Sequence, residues 1–212
     1  MIRRDYDLPE TLPLFVLPGA VLLPRTRLPL DIFEPRYLQM VEDTLRTPHR
    51  LIGMIQPLDE SGEVLAQVGS AGRIVGFSEQ EDGRYLISLG QVSRYRLTGA
   101  EQGFQPYPTG HVDWAGFDGD HADAEDDPGL DRSAFLDLMR RYMDANDLST
   151  DWEAAEDADT ELLVNSLAMA LPLEVQDKQA LLETGTLAQR RELLEGLLEY
   201  ELRHGENEEV MQ

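Results

Sequence analysis

The sequence predicts an α+β protein: a β-rich first half carrying one inserted helix, then a half that is helical throughout. Three observations predict it. Short apolar runs broken by prolines fill residues 12–33, and a stripe at helical spacing follows them directly. Beyond an acidic stretch near residue 120 the hydrophobic period changes from 2 to 3.6.

Residues 12–17 and 28–33 put Leu14, Val16, Leu30 and Ile32 at alternate positions. Prolines at 13, 18, 24 and 29 forbid long regular ladders, so a closed or strongly bent sheet is expected. Pro35 suits a first helical position, where no N–H is needed, and Glu34 suits the cap. Tyr37, Leu38, Val41 and Leu45 recur at helical spacing until Thr47-Pro48 stops the helix. LIGMIQ, residues 51–56, reads as a buried strand ended by Pro57 and the loop LDESGE. Asp82-Gly83 between two strand-like runs is a hairpin signal. Residues 85–89 make the return strand, Gly90 breaks it, and 92–97 form another. Residues 104–114 give one further extended piece, confined by Pro106 and Pro108 to an edge or bulge.

Residues 116–131 are poor in apolar side chains and dense in Asp and Glu, which predicts a flexible acidic linker. After it, Asp131 caps a helix whose Phe135, Leu138, Met139, Tyr142 and Met143 share a face. Residues 162–171 are apolar nearly all round and predict the most buried helix, ended by Pro172. A short helix spans 174–183. Thr186 and Gln189 form a capping-box pattern for the last helix, lined by Leu187, Leu193, Leu194, Leu197, Leu198 and Leu202. Residues 205–212 read as a frayed tail. The expected division is therefore 1–115 (β-rich), 116–131 (linker) and 132–212 (about four helices and the tail).

Charge narrows the function classes. The chain has 212 residues and a net charge of −23, unevenly placed. Residues 1–100 carry 11 arginines against 13 carboxylates, whereas 101–212 carry 7 basic and 28 acidic residues. Such a surface repels phosphate backbones and anionic lipids, so neither nucleic acid nor membrane is an expected partner. No run approaches the ~18 apolar residues of a membrane span, and MIRRDYD at the start has no apolar signal region. With no cysteine there is no disulfide framework, and a cytoplasmic location is expected.

The stretch LPLF, the Pro-Gly turn, LPL and then Ile32-Phe33-Glu34-Pro35-Arg36-Tyr37 resembles the start of the N-terminal domain of Lon proteases, in its stand-alone bacterial form. Residues 68–97 resemble that family's "VGT-A-RI…DGRY-L" hairpin. LAMALPLEVQDKQALLETGTLAQRRELLEGLLEYEL resembles its helical ending. The likeness covers roughly residues 11–100 and 160–203; the acidic middle matches poorly. The resemblance implies a small PUA-like β-barrel followed by a helical bundle, and a substrate-recognition role toward unfolded or exposed polypeptide segments. It also raises a full-length Lon protease as a partner.

Catalysis is not expected. A P-loop and a Ser–Lys dyad each need a lysine in a defined setting, and Lys178, in a predicted helix after Asp177, is the only one. There is no Gly-x-Ser-x-Gly elbow to join His49, His111, His121 or His204. The cluster from Asp118 to Asp127 departs from an EF-hand at Ala122 and Asp123, so no metal or cofactor is expected. A metal-dependent hydrolase using that cluster, or an RNA-binding PUA-like domain, are the competing readings.

For peptide binding the candidates are Val21, Leu22, Leu23, Arg25, Arg27, Arg36 and Tyr37. Arginine beside an aromatic ring grips peptides and carboxylates, and proline-flanked apolar residues can present a patch. Each has a plainer reading as well. Arg36 can pair with Glu34 or Asp31 at the strand–helix corner, Tyr37 can sit in the core, and residues 21–23 can fill one end of the barrel.

Overall fold

The computed structural model describes residues 8–59 and 61–210, the last six of them by backbone alone. Six strands carry the first half: β1 (Thr11–Val16), β2 (Arg27–Ile32), β3 (Leu51–Ile55), β4 (Val68–Glu79), β5 (Tyr85–Glu101) and β6 (Thr109–Asp113). Among the described residues of this half the one helix is α1 (Pro35–Leu45). After a short 3-10 turn at Asp118–His121 come α2 (Arg132–Ala145), α3 (Trp152–Asp157), α4 (Thr160–Ala170), α5 (Val175–Glu183) and α6 (Leu187–Val210).

The strand order is β2-β5-β4-β3-β1-β6, and β6 also pairs with β5. The pairings from β5 through β4, β3, β1 and β6 therefore return to β5 as a ring, and β2 is left as an edge beside β5. β1 and β3 run parallel; the other pairs are antiparallel. The β4–β5 hairpin turns at Gly83, whose φ of +82° suits a residue without Cβ. Gly69 answers a different demand: a Cβ there would lie 2.4 Å from the Tyr95 ring, so only glycine lets Tyr95 cross the interior.

Four local expectations are revised. Gly90 does not break a strand; β5 continues through it, and the β4–β5 register shifts on either side, at Ala71/Gly72, where Val92 of β5 is left over, and at Ile74/Gly76, where Val75 of β4 is. β6 begins only at Thr109, because Pro106 and Pro108 withhold ladder donors, and Phe104 is left fully exposed. Among the described residues the second half has five helices; α3 was not foreseen because its WEAAED sequence has no apolar stripe. α6 also runs on through residues 205–210, where a frayed tail was expected; residues 211–212 and 1–7 lie outside the described residues.

The caps follow the sequence. Glu34 is the N-cap of α1 with Pro35 at its start, and the Asp131 carboxylate accepts from the Ala134 N–H at 3.0 Å. At α6 the Gln189 N–H donates to Thr186 Oγ1, while Gln189 Oε1 accepts from Gly185 rather than Thr186. Two apolar clusters lie in the first half, one between the sheet and α1 and one around Tyr95. A third joins the helices to Val21, Leu23, Val68 and Phe117.

The acidic segment is tied down rather than solvated along its length. Asp120 and Asp127 are buried, paired with Arg94 and Arg191 at 2.9 and 2.6 Å. Glu125 accepts from the Leu187 N–H at the start of α6. Its sequence looks disordered because the arginines that neutralise it are far along the chain.

Candidate functional site

A cleft of about 1390 Å³ opens where the first-half sheet meets α5. Its walls are Val16 at the end of β1 and Pro18 beyond it, Arg36 and Tyr37 at the start of α1, Leu58, Asp59, Glu63 and Leu65 of the loop after β3, residues 100–102 at the end of β5 with Pro108 before β6, and Glu174, Val175 and Gln176 at the start of α5.

Gln56 fixes the walls from beneath. Its side chain is buried; Oε1 accepts from Gly19 N–H at 2.9 Å, and Nε2 donates to Val175 O at 3.1 Å and Gln179 Oε1 at 3.0 Å. Gln179 in turn donates to Val68 O on β4. One amide thus joins the turn after β1, the end of β3 and the first turn of α5, in a place where an unpaired polar atom is costly.

The 57–65 loop is closed on itself. Leu58 N–H donates to Val64 O at 2.7 Å, and Pro57 and Leu65 form an isolated bridge. The Asp59 carboxylate accepts from Ser61 Oγ and from Val64 N–H, which holds its pKa below the ordinary carboxylate value. Gly62, at φ +74°, makes the tip. This geometry turns Leu58 (53% exposed) and Val64 (54% exposed) outward, Leu58 on the cleft wall and Val64 beside it.

At the opposite wall Tyr37 is buried, its hydroxyl donating to Val16 O at 3.1 Å and its ring edge-on to Phe15. Burial pushes the phenol pKa up. Arg36 lies 4.6 Å over the Tyr37 ring and is held by Glu34 at 2.8 Å. Arg36 and Tyr37 are therefore both corner-forming and cleft-lining.

The other candidates lie elsewhere. Val21, Leu22 and Leu23 are 3%, 0% and 0% exposed, which corrects the expectation of an exposed patch: they are drawn inward between sheet and helices. Arg25 braces the halves, with Nε 3.1 Å from Glu161 and Nη2 donating to the carbonyls of Gly119, Ala122 and Asp123. Arg27 is exposed on edge strand β2, away from the cleft. Sequence reasoning missed Leu58, Val64 and Val175. The loop itself was legible, but nothing in LDESGE says which way its flanking apolar residues turn.

No three His, Asp or Glu side chains among the described residues gather to hold a metal ion. Asp120, Glu125 and Asp127 spend their oxygens on Arg94, the α6 amide and Arg191. Among the described residues, no helix is long and apolar enough to cross a membrane.

The model of the ATP-dependent protease La (LON) substrate-binding domain matches residues 11–199. The chain belongs to that family. Lon protease 1 of Bdellovibrio bacteriovorus is 28% identical over 193 residues, covering 84% of this chain and 23% of that protein. Lon protease 2 of Syntrophobacter fumaroxidans is 30% identical over 105 residues, covering 48% of this chain and 13% of its own. This chain thus spans less than a quarter of the Lon proteases it matches. Among solved structures, the Lon N-terminal domain protein from Xanthomonas campestris is 29% identical with a TM-score of 0.61, covering 87% of this chain and 96% of that one. The N-terminal domain of a Lon protease from the Mycobacterium avium complex, 14% identical, shares the fold with a TM-score of 0.63 over 89% and 98% of the two chains.

Proposed function

We propose that this chain is a non-catalytic binding module that holds exposed or unfolded polypeptide segments in the cleft between the sheet and α5. The ring of strands with α1 is read as the family's PUA-like barrel, residues 1–115. The helices within 132–212 are read as its bundle, joined to the barrel through 116–131. On this reading the 212 residues carry neither an ATPase nor a protease module, act in the cytosol, and can serve alongside a full-length Lon protease.

The observation that carries the reading is the pairing of an apolar, outward-facing loop with a braced wall. Leu58 stands exposed on a loop tied by its own backbone, with Val64 beside it, and lines the same cleft as Val16, Tyr37 and Val175, so an apolar side chain entering there is buried without reorganising the host. The extended backbone around it then finds partners along the cleft.

The test is binding of a labelled polypeptide of near-neutral charge that has no fold of its own, followed by fluorescence anisotropy. Losing one apolar contact of ~1.5 kcal/mol corresponds to roughly tenfold in Kd, so Leu58→Asp and Val64→Asp should each weaken capture about that much while circular dichroism stays unchanged. Equal affinity of wild type and both variants would overturn the placement in this cleft. Leu22→Asp is unsuited to the purpose, because Leu22 is core.

A further inference from the structure

The cleft's charge specifies its ligand more closely. Asp59, Glu63, Glu101 and Glu174 all line it, and the only cation among its lining residues is Arg36. Arg36 is already neutralised by Glu34. Among the described residues Asp59, Glu63 and Glu174 have no ion-pair partner, and Glu101 has only the His111 ring nitrogen, at 4.0 Å. Glu63, Glu101 and Glu174 are exposed to solvent, so each can turn toward a ligand. The uncompensated negative rim surrounds an apolar floor of Val16, Pro18, Tyr37, Leu65 and Val175.

Resting on the reading of the cleft as a polypeptide site, we infer that it selects apolar segments flanked by lysine or arginine and disfavours those flanked by aspartate or glutamate. An apolar side chain fills the floor between Leu58 and Tyr37, and the flanking cations lie against Glu63 and Glu101 on one side and Glu174 on the other. No host cation has to be displaced to make these contacts. The same residues repel a carboxylate, which finds only the occupied Arg36. Like-charge juxtaposition of this kind discriminates as strongly as attraction does. The excess of 21 carboxylates in residues 101–212 adds a field of the same sign, so basic segments are steered toward the protein before contact.

The inference is tested with three peptides sharing one apolar core and flanked by lysines, serines or glutamates, titrated into the intact protein by anisotropy. The lysine form should bind at least about tenfold tighter than the serine form at low salt, and the glutamate form weaker than both. The advantage should shrink as the screening length falls to about 8 Å at physiological ionic strength. In the variant Glu63→Gln, Glu101→Gln, Glu174→Gln the three peptides should converge on the affinity of the serine form. Asp59 is left intact there because it shapes the loop.

If the serine peptide binds and the flanking charge makes no difference, the charge selectivity is overturned and the cleft reading stands. If the lysine preference survives in the triple variant, the rim is not its source and the inference falls. If none of the three peptides binds, the cleft reading itself fails and the inference falls with it.

Discussion

Arg94 of β5 and Asp120 of the acidic segment form a buried, forked ion pair, with Nε and Nη2 reaching the carboxylate oxygens at 2.9–3.2 Å. The backbone N–H of Arg94 and Nε2 of Gln91 donate to the same carboxylate at 2.7 and 3.2 Å. The third guanidinium nitrogen donates to Leu182 O at 3.0 Å and Thr184 O at 2.6 Å, the last carbonyls of α5. One arginine thus joins the sheet, the acidic strap and the C-terminal end of a helix, where a cation is favoured. Every charge it buries has a partner.

Removing one member leaves the other charged and unpaired in the interior. Asp120→Ala should lower the unfolding free energy by about 3–5 kcal/mol. Asp126, six residues on and exposed, has no such partner, and Asp126→Ala should change stability by less than about 0.5 kcal/mol. Denaturant melts compare the two; matching midpoints would show that the strap does not hold the halves together.

Tyr95 gives a second prediction. Its hydroxyl donates to Met54 O at 3.1 Å, and its ring occupies the space left by Gly53 and Gly69. In Gly69→Ala the new methyl would lie 2.4 Å from that ring and 2.6 Å from Met54 O. Overpacking against backbone should cost about 2–3 kcal/mol. Gly103, which has open space around it, should accept alanine without loss of thermal stability.

Alkaline pH should unfold the protein through its tyrosines. Burial and the Asp43 carboxylate push the Tyr107 phenol up to about 12, and burial raises Tyr95 and, with Glu201, Tyr142 as well. Each folded-state pKa lies above the ordinary 10.0, so the native protein holds these protons more tightly than the unfolded chain. Their contribution is intact below pH 10 and is lost as pH rises from 10 through each folded value. The part of the phenolate absorbance that belongs to these three rings should therefore rise late and together with unfolding, and Tyr107→Phe should flatten the fall in stability between pH 10 and about 12. A titration centred near pH 10 with the fold intact would contradict this.

Local signals carried most of the fold. Prolines 18, 24 and 35, the Asp82-Gly83 turn and the leucine spacing of α6 each act through neighbours in the chain, and each element lies where those neighbours put it. Properties set by distant residues were not legible. The carboxylates at 120 and 127 look solvated until Arg94 and Arg191 arrive from 26 and 64 residues away. Val21 and Leu23 look like a loop patch until the helices of the second half cover them, and Leu22 until it packs with the sheet and α1. Of the site, Arg36 and Tyr37 were visible because their chemistry and their helix position share one short string. The loop opposite them has no chemical signature; only the fold makes it a wall.

Gln56 offers the sharpest test of how that wall is held. Gln56→Met keeps the length of the side chain and removes both ends of its hydrogen bonding, leaving Gly19 N–H, Val175 O and one lone pair of Gln179 without their partner. Stranding these groups should cost about 1–3 kcal/mol of stability. The loss should also be local: amide hydrogen exchange at Gly19 should accelerate, whereas the β4–β5 hairpin amides, whose ladder does not involve Gln56, should keep their protection. Because the start of α5 and Pro18 in the turn after β1 both line the cleft, affinity for an unfolded polypeptide should fall with the Gly19 protection even at temperatures where the variant is fully folded. Unchanged affinity beside faster Gly19 exchange would mean that the ligand sits on the 57–65 loop alone and does not use the α5 wall.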